Sequence, residues 1–409
     1  MRVALTRPLL ILIALVALAG PLDAQLEPPG TGGVVALDRE LRMLGHYRRV
    51  LMIGAHPDDE DTELLTVLVR GLGAETAYLS LTRGEGGQNL IGPELGEALG
   101  LIRTEELLAA RRLDGARQYF TRAYDFGYAK TLDETWEHWP QDTILKDVVR
   151  IVRRFRPQII VSTFSGEPRD GHGQHQAAGW AAREAFEAAG DSARFPELAL
   201  EEGLRPWMPL KLYRSTRFDS AATTLTLDGG VLDRAVGKSF HQIAMASRSL
   251  HRSQDMGRLQ TIGPSRVPLA LLADRTAEGG GGLFEGIDTS LAAMPWRDAP
   301  GTDGPAARRR FAARADSARA SLGTGGFGRL IALLDRGKRD LSPQTDDARA
   351  QLLFSTPEQG DQRRHTERAL AIAAGLVADA LAHDDRVVAG QPDSIDLLVW
   401  NAGTDSMTV

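Results

Sequence analysis

The 409-residue chain contains no cysteine. Disulfides, thiolate metal sites, iron–sulfur clusters and cysteine nucleophiles are therefore all excluded. A basic excess is also missing: 48 Lys+Arg stand against 54 Asp+Glu, a net charge of −6. No nucleic-acid partner is expected, because nucleic-acid domains usually carry surplus positive charge. The glycine-rich run 84–89 has neither GxGxxG spacing nor a P-loop lysine, so no phosphate cradle is expected. The longest apolar run, residues 9–19, falls short of the ~18–20 residues a spanning helix needs. Apolar residues make up 43% and charged residues 25%, the profile of a globular protein. The length allows two or three domains.

Arg2 and Arg7 precede that apolar run, and small residues follow it up to Ala24-Gln25. This reads as a secretory signal peptide over residues 1–24, with cleavage expected near Ala24. With no lipobox cysteine and no spanning segment, an exported protein is expected, periplasmic or extracellular in a bacterium, without a stable membrane anchor. Exported bacterial proteins without disulfides are common enough that the missing cysteines do not conflict with this.

From residue 49 the pattern alternates. Val50-Leu51-Met52-Ile53-Gly54, Thr76-Ala77-Tyr78-Leu79-Ser80-Leu81 and Gln158-Ile159-Ile160-Val161-Ser162-Thr163 are short apolar runs of the kind buried in a parallel sheet. Helical spacing marks 62–70, 103–116 and 147–155. Strands alternating with helices predict an α/β fold: a Rossmann-like, doubly wound, mostly parallel sheet flanked by helices. Beyond about 257 the spacing predicts helices over 306–320, 327–339 and 361–383. Two strands are expected after 386, too few to bury a core. The region 386–409 is therefore read as the start of a truncated β-sandwich domain in a longer protein.

Such folds place their sites at the carboxyl ends of strands. Two clusters lie there: His56-Pro57-Asp58-Asp59 after the first strand and His172-Gly173-Gln174-His175 after the third. A catalytic Zn²⁺ takes three imidazole or carboxylate ligands plus water. The clusters supply those ligands and leave one carboxylate over, which can receive the proton of a water acidified by the metal. Asp61 and Glu63 read as N-terminal helix charges. Trp136, Trp139 and Trp207 are expected in the core.

The sequence resembles the PIG-L/LmbE-like zinc-dependent N-deacetylases. The resemblance spans roughly 49–257 and rests on Ala55-His56-Pro57-Asp58-Asp59-Glu60, Thr82-Arg83-Gly84-Glu85-Gly86-Gly87, Arg103-x-x-Glu106, the His172/His175 pair and His251-Arg252-Ser253-Gln254. It implies His56, Asp59 and His175 as metal ligands, for Zn²⁺ or alternatively Fe²⁺. It further implies Asp58 as general base and His172 as the residue that steadies the oxyanion or protonates the leaving amine. Glu85 and Arg103, and more loosely Asp125, match substrate-contacting positions. The implied activity is hydrolysis of the acetamide of an N-acetylglucosamine-type sugar or conjugate through a zinc-activated water. The partner is then a small-molecule or glycan substrate carrying an N-acetyl group. The alternatives are a carbohydrate-binding protein with a degenerate metal site, or a metallohydrolase acting on another amide or ester. The expected organisation is a deacetylase domain over 36–257, a glycine-rich loop and helical region over 258–385, and the β segment. Many relatives carry Asp where Gln174 stands. A neutral amide charges a neighbouring imidazole less, with His172 the imidazole concerned and Asp170 the substitute carboxylate.

Overall fold

The computed structural model describes residues 32–217, 219–276, 281–298, 303–324, 326–341, 356–383 and 390–403. The signal segment and its cleavage point lie outside them. Helix α1 (Gly33–Arg42) leads into β1 (Arg49–Gly54), α2 (Thr62–Thr66, continued by a π-helical turn Val67–Gly71) and β2 (Glu75–Ser80). Then come α3 (Glu97–Asp114), β3 (Arg117–Phe120), α4 (Leu132–His138), α5 (Gln141–Phe155) and β4 (Ile159–Ser162). Helices α6 (Gly173–Ala188) and α7 (Pro196–Leu200) precede β5 (Lys211–Ser215) and β6 (Leu225–Asp228). The two-residue strands β7 (Leu232–Asp233) and β8 (Lys238–Ser239), helix α8 (Phe240–Arg248) and β9 (Arg266–Asp274) complete this part.

The main sheet has seven strands in the order β3-β2-β1-β4-β5-β9-β6. The first five run parallel, and β9 lies antiparallel between β5 and β6. Alternation of side chains along a strand explains why the central strands are apolar throughout. Leu51 and Ile53 face one core with α5 and α6, while Val50 and Met52 face the other with α2 and α8. Trp139 is buried in the first core, with Trp136 packed at its edge. The expected mostly parallel, helix-flanked sheet is thus present. Because β1 connects outward to β2 on one side and neighbours β4 on the other, a crevice opens where their carboxyl ends diverge.

Four helices form a third core: α1, α9 (Gly304–Ser321), α10 (Phe327–Leu341) and α11 (Pro357–Ala373). It is tied to the amino ends of the strands. Arg49 of β1 pairs with Asp361 at 2.6 Å, and His365 sits between Glu40 and Glu75. The sheet itself runs past residue 257, since β9 is hydrogen-bonded into it.

The helix expected over 361–383 is not continuous. It ends at Ala373, Gly375 turns the chain at φ 74°, and Leu376–Ala382 forms strand β10. β10 pairs antiparallel with β11 (Ile395–Asn401), so the partner of the last strand lies before residue 386; positions 386–389 fall outside the described residues. Helix α3 also starts six residues earlier than its spacing indicates. A Cβ at Gly100 would stand 2.8 Å from the Glu85 side chain. Glycine is what lets that loop lie against the helix. Among the described residues no helix is long and apolar enough to cross a membrane.

Candidate metal centre

The first half of the site is the turn leaving β1. Tyr78 on β2 donates its hydroxyl to the His56 carbonyl at 2.6 Å, which anchors the turn to the sheet. Asp61 caps α2, accepting from the amides of Glu63 and Leu64 at 3.1 and 3.0 Å. Between them Asp58 has φ 106°, a conformation costly for a residue with a Cβ. Three side chains hold it there. The Glu60 carboxylate accepts from the Asp58 amide at 2.9 Å, Arg248 donates to the Asp58 carbonyl at 2.6 Å, and Arg103 donates to Asp58 Oδ1 at 3.0 Å. Glu60 is itself buried and held ionised. Burial alone would raise its pKa, but His251 at 2.7 Å and Arg111 at 3.1 Å bring it well below the usual carboxylate range.

The second half comes from the start of α6, where His172, Gln174 and His175 follow the loop that leaves β4. The ring nitrogens of His56, His172 and His175 approach within 4.8 Å of one another. Asp59 bridges two of these residues, with one oxygen 3.1 Å from His56 Nδ1 and the other 3.3 Å from His175 Nε2. His175 donates from Nδ1 to the Asp170 carbonyl at 3.0 Å, which leaves Nε2 as the inward lone pair. Phe164 stacks on that ring at 3.9 Å.

Charge favours a cation here. Burial opposes protonation of His56, but Asp59 and then Asp125 outweigh it and raise its pKa to about 9. Asp59 is buried too, which by itself raises its pKa; His175 and His56 reverse this and hold it well below the carboxylate range. Burial raises Asp58 despite Arg103. Burial, with His175 and His56 close by, lowers His172 to about 4, and its Nδ1 has no hydrogen-bond partner. Imidazole nitrogens with a hard carboxylate oxygen, and with nearby carboxylates that stabilise positive charge, make a donor set suited to a divalent cation.

Residues 51–186 match the model of the family described as PIG-L, GlcNAc-PI de-N-acetylase. These residues are a PIG-L domain. The chain is 30% identical over 188 residues to 1D-myo-inositol 2-acetamido-2-deoxy-alpha-D-glucopyranoside deacetylase of Thermobispora bispora, covering 42% of this chain and 59% of the relative. It is 32% identical over 145 residues to diacetylchitobiose deacetylase of Thermococcus kodakarensis, covering 35% and 51%. The matched stretch is thus less than two thirds of the length of these curated relatives. Among solved structures, the N,N'-diacetylchitobiose deacetylase from Pyrococcus horikoshii aligns with a TM-score of 0.40 at 21% identity, covering 51% of this chain and 70% of that one.

The cleft of the PIG-L domain is a cavity of about 690 Å³ lined by His56, Asp58, Asp59, Asp125, His172 and His175, with Arg103 and Gln174 among its other walls. Arg103 donates to the Pro57 carbonyl at 2.6 Å and the Gly84 carbonyl at 3.2 Å besides Asp58, so its guanidinium braces both loops. Glu85 does not reach the wall. It stands behind Asp125, accepting from the Asp125 amide at 3.2 Å.

Gln174 acts elsewhere than expected. Its amide oxygen meets His56 Nε2, not His172, and its amide nitrogen donates to Asp125 at 3.1 Å and the Gly127 carbonyl at 2.9 Å. An amide can bond an imidazole and a carboxylate at once, whereas an Asp here would face Asp125 with like charge. Asp170 does not substitute for it. Its carboxylate accepts from the amides of Ser165, Gly166 and Glu167 and shapes the loop.

Residue spacing gave no sign of Arg248, Arg111 or the wall of Arg169, Arg214 and Arg217. The first two were findable only as partners of Glu60, which the His56 motif includes. In the third, Arg214 and Arg217 arrive from β5 and its following loop, and Arg169 from the turn ahead of α6. His251 is buried, bonds Glu60 at 2.7 Å and is not among the residues lining the cleft.

Proposed function

We propose that this cluster holds a divalent cation, Zn²⁺ or Fe²⁺, through His56, Asp59 and His175. The PIG-L domain then hydrolyses the acetamide of an N-acetylglucosamine-type sugar or conjugate, releasing acetate and a free amine. The observation that carries the reading is the Asp59 carboxylate lying within 3.3 Å of imidazoles from two different loops, with a second, buried carboxylate, Asp58, in the same cavity. A bound cation would supply Lewis acidity to the carbonyl and lower the pKa of water.

Asp58 takes the proton of the attacking water. Burial raises its pKa toward the range where a carboxylate is an effective base. Water's oxygen bonds to the acyl carbon, and the carbonyl oxygen becomes an anion. His172 is neutral at pH 7, so it enters the reaction as a hydrogen-bond donor to that anion rather than as a pre-charged acid. The C–N bond then breaks and the nitrogen collects the proton Asp58 holds. Arg103, Glu60 and Arg248 keep Asp58 in its strained backbone state throughout. The segment 1–24 supports an exported location for this reaction.

The test is acetate release from N-acetylglucosamine and N,N'-diacetylchitobiose, with and without chelator, alongside metal analysis of two variants. Asp59→Ala should lose metal. Asp58→Ala should keep it and lose turnover. The reverse metal contents would overturn the division of roles, and chelator-insensitive release would overturn the reading itself.

A further inference from the structure

A larger cavity, about 1010 Å³, lies at the opposite ends of the same strands. Glu75 opens β2 and Arg117 opens β3, while α1, the last turn of α3, α11 and β10 supply the other walls. Its charge departs from that of the chain. Arginines 39, 111, 112, 117, 364 and 368 line it, against Glu40, Glu75 and Asp379, in a protein of net charge −6. Two of its three anions are engaged: His365 takes Glu40 and Glu75, and Glu75 also pairs with Arg117 at 2.7 Å.

Two arginines remain open, and a third, buried one has an unpartnered nitrogen. Arg112 and Arg368 are exposed and form no ion pair or hydrogen bond among the described residues. Arg111 is 5% exposed and has no partner for Nη1, although Nε and Nη2 are bound to Asp114 and Nη2 reaches Glu60. A buried guanidinium nitrogen without an acceptor is unfavourable. The helix dipole accounts for cations in the last turn of α3. The same holds for Arg39 in the last turn of α1, but not for Arg368, which reaches the space from α11 ahead of its last turn.

We propose that this cavity is a second ligand site, separate from the metal centre, that binds a small molecule bearing a multivalent tetrahedral oxyanion, a phosphate or sulfate ester. Guanidinium forks match such oxyanions in shape and charge, and the volume is that of a metabolite site rather than of a single ion.

Calorimetric titration of the whole protein with inorganic pyrophosphate, and in a parallel arm with sulfate, tests this. Chelator is kept present so that the metal centre cannot bind the probe. Saturable one-to-one binding is expected, weakened at least about tenfold in Arg112→Gln/Arg368→Gln and unchanged in Asp59→Ala. Both replaced arginines are exposed, so the fold should survive, and an unchanged melting temperature verifies that. The stronger arm identifies phosphate or sulfate. No saturable binding into the millimolar range, equal affinity in the double variant, or loss of binding in Asp59→Ala would each overturn the proposal.

Discussion

His365 lies where the helical region meets the sheet, sandwiched between Glu40 and Glu75. Burial disfavours its charged form, yet the two carboxylates prevail and raise its pKa from 6.5 to about 9. At about 1.4 kcal/mol per pKa unit, that displacement corresponds to at most about 3.5 kcal/mol of folding stability. The lowered pKa values of Glu40 and Glu75 express the same contacts from the other side and add nothing further. A raised folded-state pKa means that the folded protein binds the proton more tightly than the unfolded chain. The contribution is therefore complete below pH 6.5 and is lost as pH climbs through 9. The perturbation is His365→Gln, assayed by urea unfolding from pH 5.5 to 9.5. The wild type should exceed the variant by about 3 kcal/mol at pH 6 and converge toward it above pH 9. His56 titrates with the same sign, but it is common to both proteins and cancels in the difference. Curves that stay parallel across the range would refute the linkage. A variant that gains on the wild type as pH falls would show its sign to be wrong.

Asp58→Asn should lower kcat by about 10²–10⁴ at unchanged metal content, as loss of a positioned base does, measured by acetate release with metal analysis. His251→Phe leaves Arg111 as the one side chain donating to the Glu60 carboxylate among the described residues, beside the Asp58 amide. Turnover should fall about 10–100-fold, the usual effect of disturbing a partner that orients a site residue, with metal retained. A wild-type rate would show that Asp58 keeps its backbone conformation without the pair. Gly173→Ala would drive a methyl into the Thr131 carbonyl and the Thr135 hydroxyl. It should destabilise the fold by about 1–3 kcal/mol and weaken metal affinity, because the first turn carrying His172 and His175 must shift; thermal melts and metal titration read both.

The chemistry-bearing residues were legible because each cluster sits in one short loop after an apolar run. His56, Asp58 and Asp59 span four residues, as do His172 to His175, and strand ends are where α/β folds place sites. Asp61 as an N-terminal helix charge was legible for the same local reason, and the structure makes it the cap. The role of Gln174 was not. The nearest histidines in sequence are His172 and His175, but its bonds go to His56, 118 residues away, and to Asp125. Glu85 shows the same limit. Its motif position suggested the substrate, and packing against Gly100 places it behind Asp125 instead.

Local pattern by itself determined the parallel sheet, the loops that carry imidazole and carboxylate, and their shared edge, because alternation and apolar run length depend only on neighbouring residues. Tertiary structure alone decided that β9 joins that sheet, that residues 376–382 leave the helix to pair with 395–401, and that Asp58 is kept strained by Glu60, Arg103 and Arg248. Those outcomes depend on which distant groups meet in a buried, low-dielectric space. There a charge 190 residues away in the chain, such as Arg248 at the Asp58 carbonyl, acts as strongly as an adjacent one.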